Sequence, residues 1–175
     1  DRLDALDDAT LAEARYILGQ PPIPSATLAR LKSLRAVFNV ETNLMDNMPY
    51  DEVFARGIHV LTTGAVFAVP VAEIGLGFAL DLARGFSGAD ADFQAGREKW
   101  GGDGNAGARL LTGSEVGIVG FGDLGQALHR LLEGFRCTVR VHDPWMAPSA
   151  IVDHRAVPAT LDEVLERSDV VFVMA

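Results

Sequence analysis

The segment that most constrains this chain is an apolar strand that runs directly into three spaced glycines. Positions 115–120 read as the strand, and Gly120, Gly122 and Gly125 then give the spacing Gly-x-Gly-x-x-Gly ahead of a helical pattern. In such a unit Gly120 allows the tight turn, Gly122 lets the backbone approach a pyrophosphate, and Gly125 permits close packing of the helix on the sheet. The segment therefore predicts the first half of a nucleotide-binding α/β domain.

The surroundings of these glycines support the same prediction, which glycines alone would not, because they also occur in ordinary turns. The helix start near Asp123 and Leu124 offers free amides and the positive end of the helix dipole to bound phosphates. The next strand, 137–142, ends in Asp143, 23 residues after Gly120, where an acid that binds the adenosine ribose is expected. The dinucleotide site is therefore predicted to contain Gly120, Gly122, Asp123, Leu124, Gly125 and Asp143.

Asp143 also indicates which nicotinamide cofactor is bound. Its carboxylate accepts hydrogen bonds from a ribose diol but would face the dianionic 2′-phosphate of NADP, and residues 144–147 include no arginine to receive that phosphate. The prediction is NAD, with His142 and Pro144 completing the adenosine site. Two alternatives remain open. Asp143 is either the acid that binds the ribose or an ordinary turn residue before Pro144. Trp145 packs either beside the adenine or under the following loop.

The wider pattern alternates strands with helices. Strands are predicted at 14–19, 34–39, 58–61, 115–120, 137–142 and 170–174. Helices are predicted at 25–31, 50–55, 71–84, 124–133 and 161–167. This order predicts an incomplete flavodoxin-like parallel α/β lobe over 1–84, and the first half of a doubly wound, parallel Rossmann-type sheet over 85–175. Four glycines between 101 and 107 mark a flexible loop between the lobes.

A family resemblance is carried by the run Gly-Ile-Val-Gly-Phe-Gly-Asp-Leu-Gly at 117–125, by the thirteen residues that separate it from Val139, and by His142-Asp143-Pro144. These features resemble the cofactor signature of the D-isomer-specific 2-hydroxyacid dehydrogenases. The segments 56–60, 71–84 and 96–100 follow the order and spacing of the same family. The resemblance therefore covers the chain from about residue 14 onward.

The resemblance implies a two-lobed, usually dimeric oxidoreductase that holds NAD(H) between its lobes and transfers a hydride to or from a small 2-hydroxy or 2-keto acid. It also implies that 1–84 form the N-terminal part of the substrate lobe and an interdomain helix. In that family an arginine anchors the substrate carboxylate, and a histidine paired with a glutamate moves the proton. These catalytic residues are expected beyond Ala175, so the chain is interpreted as a fragment, truncated at both ends and inactive alone. The alternative is an NAD(H)-sensing binding protein of the corepressor type, which uses the same fold without turnover.

The strand pattern favours the same interpretation. The chain ends at what reads as the third strand of the first half of the sheet. Strand 116–119 would then be an exposed apolar edge, which soluble proteins avoid. The first lobe also lacks the strand that usually precedes a segment such as 14–19.

Two regions depart from the pattern of the family. The resemblance implies a glycine-rich loop whose amides receive the substrate carboxylate, whereas positions 41–47 keep the Asp-Asn pair but no glycine. Asn43 and Leu44 fall where those amides would lie and are predicted to contact substrate or nicotinamide, the alternative being a plain connecting loop. Asp123 stands where a basic or small residue is common, and we expect it to cap the helix.

Charge and composition argue against several other functions. With 24 acidic and 15 basic residues the net charge is −9, which disfavours nucleic acid and anionic membrane surfaces as partners. The apolar segment around 71–82 is interrupted by two acidic residues, so no membrane span is predicted. The lone Cys137 indicates a reducing compartment, the cytoplasm. No metal site is predicted, because three histidines lack an acidic partner at metal-ligand spacing: His59, His129 and His154.

Overall fold

The computed structural model describes residues 3–41 and 44–174, which form two parallel sheets, one of three strands and one of four. The chain divides after Gly64 into two compact units, each with its own sheet. The predicted α/β class with parallel sheets is thereby confirmed. The division groups all but the first residue of helix Gly64–Arg84 with the second unit, whereas the sequence places the predicted helix 71–84 in the first lobe. The assignment of the lobes stays a prediction.

In the first unit three parallel strands lie in chain order. They are β1 (Tyr16–Leu18), β2 (Ala36–Asn39) and β3 (His59–Thr62). The helices are α1 (Asp8–Glu13), α2 (Ser25–Arg30) and α3 (Tyr50–Ala55), with a 3-10 turn at Leu3–Ala5. Apolar side chains from strands and helices form the buried core, which includes Leu11, Ile17, Ile23, Leu28, Leu31, Val37 and Val53. Only α1 is missing from the sequence prediction of these helices and strands; the Asp7 side chain caps it.

The second unit holds a four-stranded parallel sheet in the order β6, β5, β4, β7. The strands are β4 (Glu115–Val119), β5 (Thr138–His142), β6 (Val157–Pro158) and β7 (Val170–Val173). The helices are α4 (Gly64–Arg84), α5 (Phe86–Gln94), α6 (Gly101–Gly104), α7 (Asp123–Leu132), α8 (Pro148–Asp153) and α9 (Leu161–Arg167), with a 3-10 turn at Glu133–Phe135. Its core includes the fully buried residues Ala72, Val116, Ile118, Phe121, Leu128, Val141 and Val164.

Strand β4 lies inside this sheet, because it pairs with β5 on one side and with β7 on the other. The prediction that 116–119 would be an exposed edge is therefore wrong. The chain also does not end at the third strand, since β6 is the third and β7 the fourth. The sequence does not reveal β6, because two residues, one of them proline, carry no strand periodicity. The glycine segment thus begins at the end of a strand paired on both sides.

Helix α4 begins earlier than the sequence predicts. Pro70 reads as a helix start but lies inside the helix, which begins at Gly64 because Ala68, ahead of the proline, is already packed into the core. With 21 residues, and an 18-residue window whose mean hydropathy is 1.8, α4 is long and apolar enough to cross a membrane by length and composition alone. This corrects the expectation that no such run exists. Ala68, Ala72 and Ala79 are buried in the core of the second unit, whereas larger apolar side chains of the same helix are more than half exposed, among them Val66, Ile74, Phe78 and Leu82.

Two helices that the sequence does not predict follow α4: α5 lies in a segment for which no helix or strand is predicted, and α6 lies in the predicted flexible loop. α5 begins after Gly85, whose φ of 66° favours glycine, and α6 is a single turn within the four-glycine stretch. α9 begins as predicted, because Thr160 forms a capping box. Its side chain accepts a hydrogen bond from the Glu163 N–H, and its own N–H donates to the Glu163 carboxylate at 2.9 Å.

Candidate dinucleotide-binding site

The predicted site lies where β4 and β5 end side by side. The strands are parallel, with Val119 beside His142, so the segments that follow them leave the sheet at the same edge. The N–H of Gly120 donates to the carbonyl oxygen of His142 at 2.9 Å and joins the two segments directly after the strands. Open parallel sheets bind their ligands at this carboxyl edge.

The three glycines of the loop differ in what the fold requires of them. Gly120 has a φ of 89°, in the left-handed region that favours glycine. A Cβ on Gly125 would lie 2.3 Å from the carbonyl oxygen of Gly120, so α7 packs this close to the loop only with glycine there. A Cβ on Gly122 would meet no atom of the described residues within 4 Å, and its φ is −69°. The fold therefore needs Gly120 and Gly125, whereas Gly122 borders open space.

Helix α7 begins without a side-chain cap. Gly122 is the N-cap residue, and its carbonyl accepts the N–H of Gln126 at 3.0 Å. Asp123 is exposed and is the first helical residue, so the prediction that it caps the helix is wrong: capping is done from the extended residue before the first turn. Leu124 packs against the core. The amides of the first turn, at the positive end of the helix dipole, are left to an anion or to water.

Asp143 is fixed by three backbone amides. Its Oδ2 accepts the N–H of Phe121 at 2.7 Å, and its Oδ1 accepts the N–H groups of Trp145 and Met146 at 2.8 and 3.1 Å. The carboxylate thus forms a turn, as one interpretation of the sequence has it, and it also ties the glycine loop to the segment after β5. Oδ2 has a further lone pair, so the binding of a ribose hydroxyl stays a prediction.

The other residues predicted for the adenosine site lie on either side of Asp143. His142 is half-buried at the end of β5, and its Nδ1 lies 3.3 Å from the carbonyl oxygen of Ala159. Pro144 is exposed, and Trp145 is 95% exposed. This exposure is incompatible with Trp145 packing under the following loop. A position beside a bound adenine stays a prediction.

Phe121, between the first two glycines, is completely buried, and the sequence analysis assigns it no role. Its carbonyl accepts a hydrogen bond from Gln126 Nε2 at 3.0 Å. Its ring contacts two imidazoles edge to face, with centroids 5.7 Å away for His129 and 5.5 Å for His154. Burial lowers the pKa of His129, and the nearby charge of Glu133 opposes that effect. The sequence hides this cluster because its three rings come from the loop, from α7 and from the end of α8.

The residues predicted to contact substrate belong to the first unit. Asn43 lies outside the described residues, and Leu44 is 59% exposed. Asn39, at the end of β2, is fully buried, and neither polar atom of its side chain has a hydrogen-bond partner within the described part of the chain. A buried amide without partners costs free energy, which marks Asn39 as a polar position that the sequence analysis missed. Across 3–41 and 44–174, no three potential metal ligands come together.

Comparison with known families gives one match over more than half of the chain. The family described as "D-isomer specific 2-hydroxyacid dehydrogenase, NAD binding domain" matches residues 76–175. The matched segment contains β4 to β7 and therefore the whole glycine loop and Asp143. It also includes the second half of α4, which agrees with the grouping of α4 in the second unit.

Individual relatives are similar over nearly the whole chain. A D-3-phosphoglycerate dehydrogenase of Mycobacterium leprae is 27% identical over 99% of this chain and 32% of its own length. The crystal structure of a phosphoglycerate oxidoreductase from Rhizobium etli is 59% identical, with a TM-score of 0.85 over 99% of this chain and 54% of that one. The D-lactate dehydrogenase of Aquifex aeolicus, complexed with NAD and lactic acid, is 20% identical, with a TM-score of 0.77 over 98% and 51% of the two chains, and shows the fold alone. The chain thus spans about a third to a half of these relatives.

Proposed function

Because this chain belongs to the D-isomer specific 2-hydroxyacid dehydrogenase family, we propose that it forms the NAD(H)-binding part of an enzyme that transfers a hydride between NAD(H) and a small 2-hydroxy or 2-keto acid. The open space at Gly122 carries this proposal. The fold itself does not require a glycine there. A group that must come close to the backbone, such as a pyrophosphate, does require one.

The residues of the site have distinct roles in this proposal. The first-turn amides of α7 donate to the pyrophosphate, and Gly122 leaves room for it. Asp143 accepts a ribose hydroxyl and repels a 2′-phosphate, which favours NAD over NADP. His142 and Pro144 flank the adenosine. Bound NADH supplies the hydride, and NAD⁺ accepts it in the reverse direction.

We assign the substrate to small 2-hydroxy and 2-keto acids. The names of the relatives described above mention phosphoglycerate and lactic acid, both of which carry a hydroxyl group in an acid of this size. Asn43 and Leu44 would contact the substrate or the nicotinamide. The arginine, glutamate and histidine that the family resemblance implies would come from sequence outside this chain, so catalysis belongs to the whole protein.

The test is an assay of the full-length protein with NADH or NADPH and a series of acids: glyoxylate, pyruvate, hydroxypyruvate and its phosphorylated form. We expect turnover of at least one acid, faster with NADH, and none with the 175-residue chain alone. Tight NADH binding without turnover by the full-length protein would support a dinucleotide sensor of the corepressor type instead. A full-length protein that binds neither cofactor would contradict the proposal.

We further propose that the enzyme is a cytoplasmic homodimer, as the family resemblance and the cysteine content imply. Burial raises the pKa of the Cys137 thiol, which keeps it in the unreactive protonated form that suits a reducing compartment. Sedimentation of the full-length protein tests the dimer, and a monomer at micromolar concentration would exclude it.

Replacing Asp143 by serine is expected to weaken NADH binding to the full-length protein by roughly 1.5–3 kcal/mol, the scale of hydrogen bonds to a charged group. Fluorescence titration with NADH and NADPH separates two causes. Loss of a ribose contact weakens NADH more than NADPH, whereas loss of the tie to Phe121 weakens both equally. Asp153→Ser, at an exposed acid of α8, is the matched control. Unchanged NADH affinity in Asp143→Ser would show that Asp143 only forms a turn.

Asp123 is expected to weaken dinucleotide binding, because an uncapped helix start places its charge near the pyrophosphate. Affinity for NADH should therefore increase from the natural protein to Asp123→Asn and again to Asp123→Arg. The gain should shrink in high salt, since exposed charges are screened over about 8–10 Å at ordinary ionic strength. Asp162→Asn, in the first turn of α9, is the control. If the natural Asp123 binds NADH tightest at both low and high salt, its charge does not face the phosphates.

A further inference from the structure

The backbone and ring of Phe121 are held from several directions, although the residue lies inside the glycine loop. Its N–H donates to Asp143 at 2.7 Å and its carbonyl accepts from Gln126 at 3.0 Å. Its ring is completely buried between His129 of α7 and His154, the residue that ends α8. A displacement of the ring would therefore move the backbone on both sides of it, Gly122 included.

The two imidazoles differ in their freedom to move. His154 is exposed and can turn toward water, whereas His129 is 6% exposed and cannot gain a full hydration shell without leaving its place beside Phe121. Edge-to-face contact between aromatic rings stabilises such a pair beyond the area that it buries. The contact is lost if His129 moves.

We propose that His129 and His154 are positioning residues for the dinucleotide, which act through the buried ring of Phe121, and that protonation of His129 displaces the glycine loop and weakens dinucleotide binding. The inference rests on the proposed function and adds a pH dependence to it. No contact between either histidine and the dinucleotide is required.

The charged groups around His129 favour its neutral form. Burial is the largest effect and lowers its pKa; the positive charges of His154 and Arg130 act in the same direction, and only Glu133 opposes them. Asp143 approaches the backbone of Phe121 rather than its ring. Because the folded state holds His129 neutral, its contribution to stability is complete above the unfolded pKa of about 6.5 and is lost as pH falls toward the folded value.

A protonated His129 would also attract the pyrophosphate, which opposes the proposed effect. It lies six residues after Asp123, about 9 Å along the helix axis, and at about one Debye length this attraction is already weakened. The displacement of a buried ring is not screened. We therefore expect weaker binding at low pH.

The experiment compares the natural full-length protein with His129→Phe, which keeps a ring and cannot be protonated. His59→Phe, at an exposed histidine of β3, is the matched control. ADP-ribose is the probe, because it contains the groups that the glycine loop would bind and is stable in acid. Its affinity is measured by calorimetry from about pH 8 to about pH 5, the range over which histidines titrate. In the unliganded proteins, NMR follows the Gly122 amide and the histidine rings over the same range.

In the natural protein and in His59→Phe, we expect ADP-ribose to bind roughly three- to tenfold more weakly at the acid end, tenfold being one unit of coupled pKa shift. The chemical shift of the Gly122 amide should change with the same midpoint as the titration of His129. In His129→Phe both responses should disappear.

Two results would overturn the inference. One is a chemical shift of the Gly122 amide that does not change while His129 titrates, and the other is an unchanged pH dependence of ADP-ribose affinity in His129→Phe. If His129→Phe does not fold, two other measurements decide the inference. One is the NMR titration of the natural protein, and the other uses His154→Phe, which is altered on the exposed side of the Phe121 ring. Failure to bind ADP-ribose at any pH counts against the proposed function, while the movement of Gly122 still decides the coupling.

Discussion

Replacing Gly122 by alanine is expected to weaken NADH binding to the full-length protein about 10- to 100-fold, equivalent to roughly 1.4–2.7 kcal/mol. The added methyl group would occupy the space that the pyrophosphate needs. The same methyl group meets no atom of the described residues within 4 Å, and the φ of −69° suits alanine. Because Gly122 is the N-cap residue of α7, where glycine is preferred to alanine, the free energy of unfolding should fall by no more than about 1 kcal/mol. Fluorescence titration and urea unfolding give the two quantities.

Gly134→Ala is the matched control for this prediction. Gly134 lies in the 3-10 turn after α7, and a Cβ there also meets no described atom within 4 Å. It should change neither NADH affinity nor stability. Normal NADH affinity in Gly122→Ala would mean that the dinucleotide does not approach the loop, and a large loss of stability would mean that the open space at Gly122 is needed for folding.

Gly125→Ala is expected to lower the free energy of unfolding by about 2 kcal/mol. Helix propensity alone would raise it by up to about 1 kcal/mol, since Gly125 lies inside α7. The new Cβ would however lie 2.3 Å from the backbone oxygen of Gly120, which cannot rotate away. Overpacking of this kind costs about 3 kcal/mol, so the steric effect dominates. Urea unfolding measures the net change.

Gly77→Ala is expected to have the opposite effect on the free energy of unfolding in the same assay. Gly77 lies inside α4, and no described atom would lie within 4 Å of its Cβ, so only the favourable helix propensity remains. The protein should become more stable or stay unchanged. Equal stability of Gly125→Ala and Gly77→Ala would contradict the close approach of α7 to the glycine loop.

The sequence predicts those parts of the fold that local chemistry determines. The strand, the glycines and the helix start at 115–125 lie where expected, as does Asp143 after β5, because each is encoded by neighbouring residues. The capping box of Thr160 is another local signal that the structure confirms. The roles of the predicted site residues in binding stay predictions.

The predictions from the sequence are wrong where contacts between distant parts of the chain determine the local structure. β6 and the pairing of β4 with β7 depend on tertiary contacts that no periodicity records. The early start of α4 depends on packing that outweighs the signal of Pro70. Asp123 reads as a cap because its residue type suits one, although the helix begins at Asp123 itself, one position earlier than a cap at Asp123 requires.

The central position of β4 has a consequence for the order in which the sheet is completed during synthesis. Two hydrogen bonds of Glu115, the first residue of β4, illustrate this order. Its side chain accepts a hydrogen bond from Arg140 of β5, 25 positions away in the sequence, whereas its N–H donates to Asp169, just before β7, 54 positions away. Closing the longer loop costs more entropy and comes later on the ribosome. One edge of β4 therefore stays open to other chains until Val170 has emerged. In this interval an unpaired apolar strand is exposed to aggregation.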